Sequence, residues 1–132
     1  MKHISVLRWM FIAGALIDGA IAASWFSIAL GWTLPNIVNG YAGTDPGYRF
    51  ALFVNAMFMA GWATLLLWGA LNPGERKGLL PITAGWLLLS IILEVVFYSH
   101  MLGGSWFTFG VVKRLIISVS FSWAYCHAMK NR

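Results

Sequence analysis

A chain of 132 residues that is 60% hydrophobic and 10% charged, with mean hydropathy +0.75, lies outside the range of water-soluble domains and has room for one domain only. The net charge of +5 does not signal nucleic acid, because the nine basic residues form no run and sit mostly at the ends of apolar segments. One cysteine, Cys126, excludes an internal disulfide, a CxxC redox pair and a thiolate zinc site.

The first apolar segment runs from about Trp9 to Trp32, long enough to cross a bilayer core of about 30 Å at the helical rise of 1.5 Å per residue. Ala20-Ile21-Ala22 resembles a signal-peptidase site, but Asp18 interrupts the preceding stretch and apolar character continues through Trp32. The segment is therefore expected to be a retained helix. Ala15, Gly19, Ala23 and Ser27 recur at every fourth position, a small-residue seam that predicts close approach of another backbone. Asp18 lies beside this seam.

Thr33 to Tyr48 reads as the longest loop, because Pro35, Asn36, Asn39, Gly40, Gly43 and Asp45-Pro46-Gly47 interrupt any regular period. A second segment, about Arg49 to Leu71, carries Tyr48, Asn55, Met59 and Trp62 on one face. Asn72 to Gly78 is a tight charged turn. A third segment, about Leu79 to Leu102, has Pro81 in its first turn, where a missing N–H is harmless. The fourth is expected over about Phe109 to Met129. There Lys113 and Arg114 either mark the membrane interface or lie about one turn inside it.

The expected fold is thus an all-α integral membrane protein, a four-transmembrane-helix bundle with N- and C-termini cytoplasmic. The orientation rests on the basic residues. Lys2, Arg8, Arg76, Lys77, Lys130 and Arg132 fall on the side of the termini, whereas Arg49, Lys113 and Arg114 fall on the other. The inner (plasma) membrane is the expected location.

The polar residues within the segments are the candidates for a site. On segment three Thr83, Ser90, Glu94 and Tyr98 share a stripe; on segment four Arg114, Ser118, Ser122 and Tyr125 do the same. From the helical rise, Glu94, Arg114 and Asn55 each lie about 20–24 Å from the cytoplasmic face, and Asp18, Ser90 and Ser118 about 14–17 Å. Two polar layers are therefore expected. Glu94 and Arg114 have three readings: a structural ion pair that fixes helix register, a polar cavity open to the outer side in which Glu94 binds a cation or exchanges a proton, or a group that faces a partner chain. Asp18 has no cationic partner at its level. It is either a proton-exchanging group or a neutral acid bonded to a backbone carbonyl.

The candidate ligand- or proton-binding residues are thus Glu94, Arg114, Asp18, Asn55 and Tyr98. Trp25, Trp62, Trp86 and Trp123 lie towards the interior and form a possible ligand box, whereas Trp9, Trp32, Trp68 and Trp106 suit the interface. Only His3 and His127 share a level, His100 falls at the other end, and no carboxylate accompanies them with ligand spacing, so no metal or haem is expected. No cofactor is implied.

Gly14-Ala15-Leu16-Ile17-Asp18-Gly19 in a first helix, with three more helices in a short chain, is similar in layout to the small multidrug resistance transporters. Those carry one embedded Glu in the first helix and work as antiparallel dimers. This chain departs from them in using Asp18, in its greater length, in its further embedded charges Glu94 and Arg114, and in its Lys/Arg bias. Tyr48-Arg49, Gly61-Trp62-Ala63-Thr64-Leu65-Leu66-Leu67-Trp68 and Pro73-Gly74-Glu75-Arg76-Lys77-Gly78-Leu79 resemble a group of small prokaryotic four-helix membrane proteins. That likeness covers the middle half of the chain and implies topology alone.

Three function classes follow. The first is an accessory or interaction subunit without catalysis of its own, in a homo-oligomer or larger membrane complex. The second is binding or transport of a small amphiphilic or cationic molecule through a polar bundle core. The third is a membrane enzyme acting on a lipid or quinone, resting on Glu94, Tyr98 and His100. Membrane lipid is the expected partner in all three, and nucleic acid in none.

Overall fold

The computed structural model describes residues 2–130; residues 1, 131 and 132 and the side chains of Lys2 and His3 lie outside the described residues, and with them part of the terminal charge count and the His3 ligand question. The described chain is helical with no strand: α1 (Lys2–Ala29), α2 (Pro46–Leu71), the single-turn α3 (Pro73–Arg76), α4 (Leu79–Tyr98) and α5 (Gly104–Lys130). Four stretches, Ile4–Ala29, Pro46–Leu71, Pro73–Tyr98 and Gly104–Lys130, are long and apolar enough to cross a membrane. Much of their outer surface is Leu, Phe, Val and Trp exposed without a protein partner, Leu16, Phe50, Leu71 and Val119 among them.

Each helix starts or ends for a local reason. The α1 helix begins well before Trp9, because Lys, Ser and Arg are tolerated in helices and Leu7 is already buried in the core. Arg8 then donates from Nε to the Ala70 carbonyl at 3.2 Å, serving one of the carbonyls that the end of α2 leaves without an intrahelical partner. At the other end of α2, Asp45 caps by accepting from the Tyr48 backbone N–H at 2.9 Å, with Pro46 in the first turn. The charged turn Asn72–Gly78 contains the single turn α3. There Arg76 donates to the Trp68 carbonyl and lies 3.4 Å from the centre of the Trp68 ring.

The core joins all four long helices at the end that carries the termini and α3. Leu7, Phe11 and Ala15 meet Leu66 and Ala70, Leu80 and Ala84, and Phe121, Ala124 and Ala128. In lipid such contacts stabilise by packing rather than by exclusion of water, so small residues matter where backbones approach. The expected seam on the first helix is used at Ala15 but not further along: open space surrounds Gly19 and Ala23 is exposed. The seam is on α2, where Ala56, Ala63 and Ala70 are buried at seven-residue spacing. Gly69 joins it, because the Phe11 ring lies 2.7 Å from the point a β-carbon would occupy. Large α1 side chains fill the small-residue face of α2, the reverse of the expected arrangement.

The helices pack as two sequential hairpins. The α2 helix lies along α1, α4 lies along α5, and α1 touches α5 to join them, whereas α2 and α4 scarcely meet. Near the core a hydrogen bond from Trp62 Nε1 to Thr83 Oγ1, 3.3 Å, links the two. Towards the long loop they diverge, and the candidate site lies in that gap.

Candidate functional site

Between the hairpins lies a cavity of about 690 Å³, within the range of small-molecule sites. Its walls combine aromatic and aliphatic side chains with Asp18, Asn55, Ser90, Glu94, Lys113 and Arg114. The two polar layers expected from the sequence are therefore one group of residues around one space. They merge because α5 starts at Gly104, five residues before the expected start, which draws Arg114 into the buried interior and half-buried Lys113 to the cavity wall.

Arg114 is 3% exposed and each part of its guanidinium has a partner. Nη2 donates to Glu94 Oε2 at 2.5 Å, Nη1 to Ser90 Oγ at 3.0 Å and Nε to the Gly110 carbonyl at 3.2 Å. Four-residue spacing produces this set, because Ser90 and Glu94 share one face of α4 while Gly110 and Arg114 share one face of α5. Ser118, one turn further along α5, donates to the Ala84 carbonyl and extends the same seam. Ser122, expected on that stripe, is exposed instead; Phe121 and Ala124 hold the buried face.

Lys113 resolves differently. Its Nζ donates to the Ile37 carbonyl at 3.1 Å, pinning the long loop to α5. It also lies close enough to Asp18 for the two charges to act on each other, although they make no ion pair within 4.0 Å. Asp18 thus has a cation at its level, contrary to the sequence expectation. Of the two positions open to Lys113 from the sequence, the earlier start of α5 selects the inner one. No hydrogen bond ties the Asp18 carboxylate among the described residues.

The long loop does more than connect α1 to α2. Residues 30–45 fold inward over one end of the cavity, with Asn36, Val38 and Asn39 in its wall. Asn36 is 5% exposed and organises this turn. Its Oδ1 accepts from Trp25 Nε1 and from the Val38 N–H, both at 2.9 Å, and its backbone carbonyl accepts from the Gly40 N–H at 2.7 Å. The one signal available was an asparagine among apolar neighbours, a residue that favours such local bonding. Gly110 then permits the loop to touch α5: a β-carbon there would stand 1.9 Å from the Val38 oxygen.

Of the four interior tryptophans, Trp25, Trp62 and Trp86 line the cavity. Trp123 does not; it is exposed and stacks on His127 at 5.3 Å. Asn55 lines the cavity yet is exposed at the mouth of the gap. Phe58, 74% exposed, and Trp86, 65% exposed, flank the same opening from α2 and α4. Tyr98 lies outside this space. It lines a smaller cavity of about 360 Å³ with Asn39, Tyr41, Tyr48 and Glu94, so Glu94 forms a wall common to both. His100 is in the exposed turn after α4 and lines neither.

No family model, curated protein or solved structure matches the chain. Four apolar helices of membrane-spanning length support a multi-pass membrane protein. Beyond that class, functional inference rests on the cavity.

Proposed function

We propose that this protein binds a small amphiphilic molecule in the cavity between its hairpins, the polar head near Asp18 and Lys113 and the apolar body against Phe58, Trp62 and Trp86. The carrying observation is a cavity of about 690 Å³ that has charged groups with unused bonding capacity and opens between α2 and α4. A purely structural polar core closes around its charges, as Arg114 does. Asp18 and Lys113 instead face open space with aromatic walls beside them. The opening lies on an apolar flank, so a molecule dissolved in the bilayer reaches it without leaving the lipid.

A direct test uses a single-chain amphiphile with a brominated chain, added to the protein in bilayer nanodiscs. Tryptophan quenching is expected to saturate near one amphiphile per chain, and the saturating part should shrink in Trp62→Phe,Trp86→Phe to what Trp25 contributes. Quenching that only rises in proportion to the amphiphile, unchanged in the variant, would reduce the cavity to packing. The reading of an accessory subunit takes second place. It draws on Gly61 of α2 and Gly85 of α4, both exposed with open space around them, where another helix has room to approach.

The orientation belongs to the same proposal: termini in the cytoplasm, long loop outside, in the plasma or inner membrane. With Arg114 in the buried interior and Lys113 at the cavity wall, Arg49 is the basic residue left on the loop side. Arg8, Arg76, Lys77 and Lys130 remain on the other, so the bias is sharper than the sequence count suggested. In a Cys126→Ser background, an impermeant thiol reagent added to intact cells should label Thr44→Cys and spare Glu75→Cys. The reverse pattern would invert the topology.

A further inference from the structure

We infer that the head group this cavity takes is zwitterionic, an ammonium and a phosphate a short linker apart, carried on a membrane lipid whose chains leave between α2 and α4. This deepens the amphiphile-binding reading and rests on it. The inference starts from the charges that line the cavity. Asp18 and Glu94 contribute two negative charges and Lys113 and Arg114 two positive ones, so the walls are formally neutral. Glu94 and Arg114 cancel each other at contact distance. Asp18 and Lys113 do not. They lie within electrostatic reach but beyond 4.0 Å.

The separation is built in. Lys113 is held by the Ile37 carbonyl, and swinging towards Asp18 would release the loop from α5. That bond uses one of the three ammonium donors and the ammonium also lies 5.8 Å from the centre of the Phe109 ring, which leaves two donors without a hydrogen bond. The Asp18 carboxylate has no hydrogen bond among the described residues, so its acceptor sites are unused. The pair therefore presents an acceptor and donors that make no bond to each other.

A ligand of single sign satisfies half of this arrangement. A cation on Asp18 leaves Lys113 uncompensated, and an anion on Lys113 does the same to Asp18; either adds net charge to a neutral space poorly screened by water. A head group with both signs satisfies both ends and adds none. Asn39 and Asn55 also line this space and offer further donors and acceptors. Apolar chains then have one continuation, the gap where α2 and α4 scarcely meet, past Phe58 and Trp86.

The test is competition among three lipids of identical chains, phosphatidylethanolamine, phosphatidylglycerol and a cationic ethylphosphatidylcholine. They are mixed in equal amounts with the purified chain in neutral micelles, and the first bound lipid is read by native mass spectrometry. Loss of one charge-assisted hydrogen bond predicts a preference of about tenfold or more for the zwitterion over either other lipid. Asp18→Asn should move the preference to the anionic lipid and Lys113→Gln to the cationic one. The double variant should still bind, with no class favoured more than about twofold; its neutral pair keeps the comparison valid if a single variant folds poorly. Soluble phosphoethanolamine at the lipid's concentration should displace nothing, and displacement would refute a lipid source. Equal binding of the three by the native chain, or an order the variants do not change, would overturn the zwitterion while leaving a saturating bromine quench intact. Failure of both measurements would remove amphiphile binding itself.

Discussion

Glu94→Gln is expected to destabilise the protein more than Arg114→Gln, although the two residues form one ion pair. The asymmetry follows from burial. Arg114 is 3% exposed, so removing Glu94 strands a guanidinium charge in the bundle, a change that costs about 3–5 kcal/mol when nothing replaces the partner. The Glu94 side chain is 19% exposed and borders two cavities, so once Arg114 is gone water can reach it. Removing both takes away the mutual dependence. The double variant should therefore be destabilised by less than the sum, with a coupling of about 1 kcal/mol or more. Reversible unfolding in mixed micelles, followed by circular dichroism, measures all three variants. Strict additivity would mean that the contact does not stabilise the bundle. A larger loss in Arg114→Gln would show that its bonds to Ser90 and Gly110 outweigh the ion pair.

The second large effect is expected at a residue with no chemistry. Glycine to alanine inside a helix ordinarily stabilises by up to about 1 kcal/mol, through a lower loss of backbone entropy. Gly110→Ala should do the opposite. A β-carbon there would lie 1.9 Å from the Val38 carbonyl oxygen, and that neighbour is backbone, which cannot rotate aside as a long side chain would. Either the loop lifts from α5 or the helix shifts. Overpacking of this kind costs about 1–3 kcal/mol, enough to cancel the helical gain and reverse the sign. Lifting the loop also breaks the Lys113 bond to Ile37 and removes Asn36, Val38 and Asn39 from the cavity wall. Hydrogen exchange should accelerate at Val38, Gly40 and Tyr41 while the amides of α1 and α2 near Phe11 and Gly69 stay protected. A stabilised variant with unchanged loop exchange would show that the loop does not rest on Gly110.

The four spans were legible in the sequence because each is an apolar run bounded by glycine, proline or charge, and a lipid solvent demands little else of them. The ion pair was legible too, since Glu94 and Arg114 are opposite embedded charges on adjacent spans, each with a serine one turn away. What failed was register and reach. Hydropathy marks where apolar character stops, not where hydrogen bonding stops, so it missed the first turns of α1 and α5. The missing turns of α5 left open which of two positions Lys113 takes. Nor does a helical period record which small-residue face is used, and the regular spacing on α1 drew attention from the alanines of α2. The inward fold of residues 30–45 depends on contacts between Asn36, Trp25 and α5 that are distant in the chain, and no local pattern announces them.

The order in which the hairpins leave the ribosome has a bearing on their charges. Glu94 and Arg114 belong to the same hairpin, twenty residues apart, so they can neutralise each other as α4 and α5 enter the bilayer together. Asp18 has no such companion in its own hairpin. When α1 and α2 are already packed through Phe11 and Gly69, Lys113 has yet to be synthesised, and the carboxylate waits alone for some ninety residues of translation. The first hairpin therefore carries an uncompensated carboxylate until the second brings Lys113 within electrostatic reach. A chain truncated after Leu71 should be inserted less efficiently than the same fragment carrying Asp18→Asn, and the full-length chain should narrow the difference.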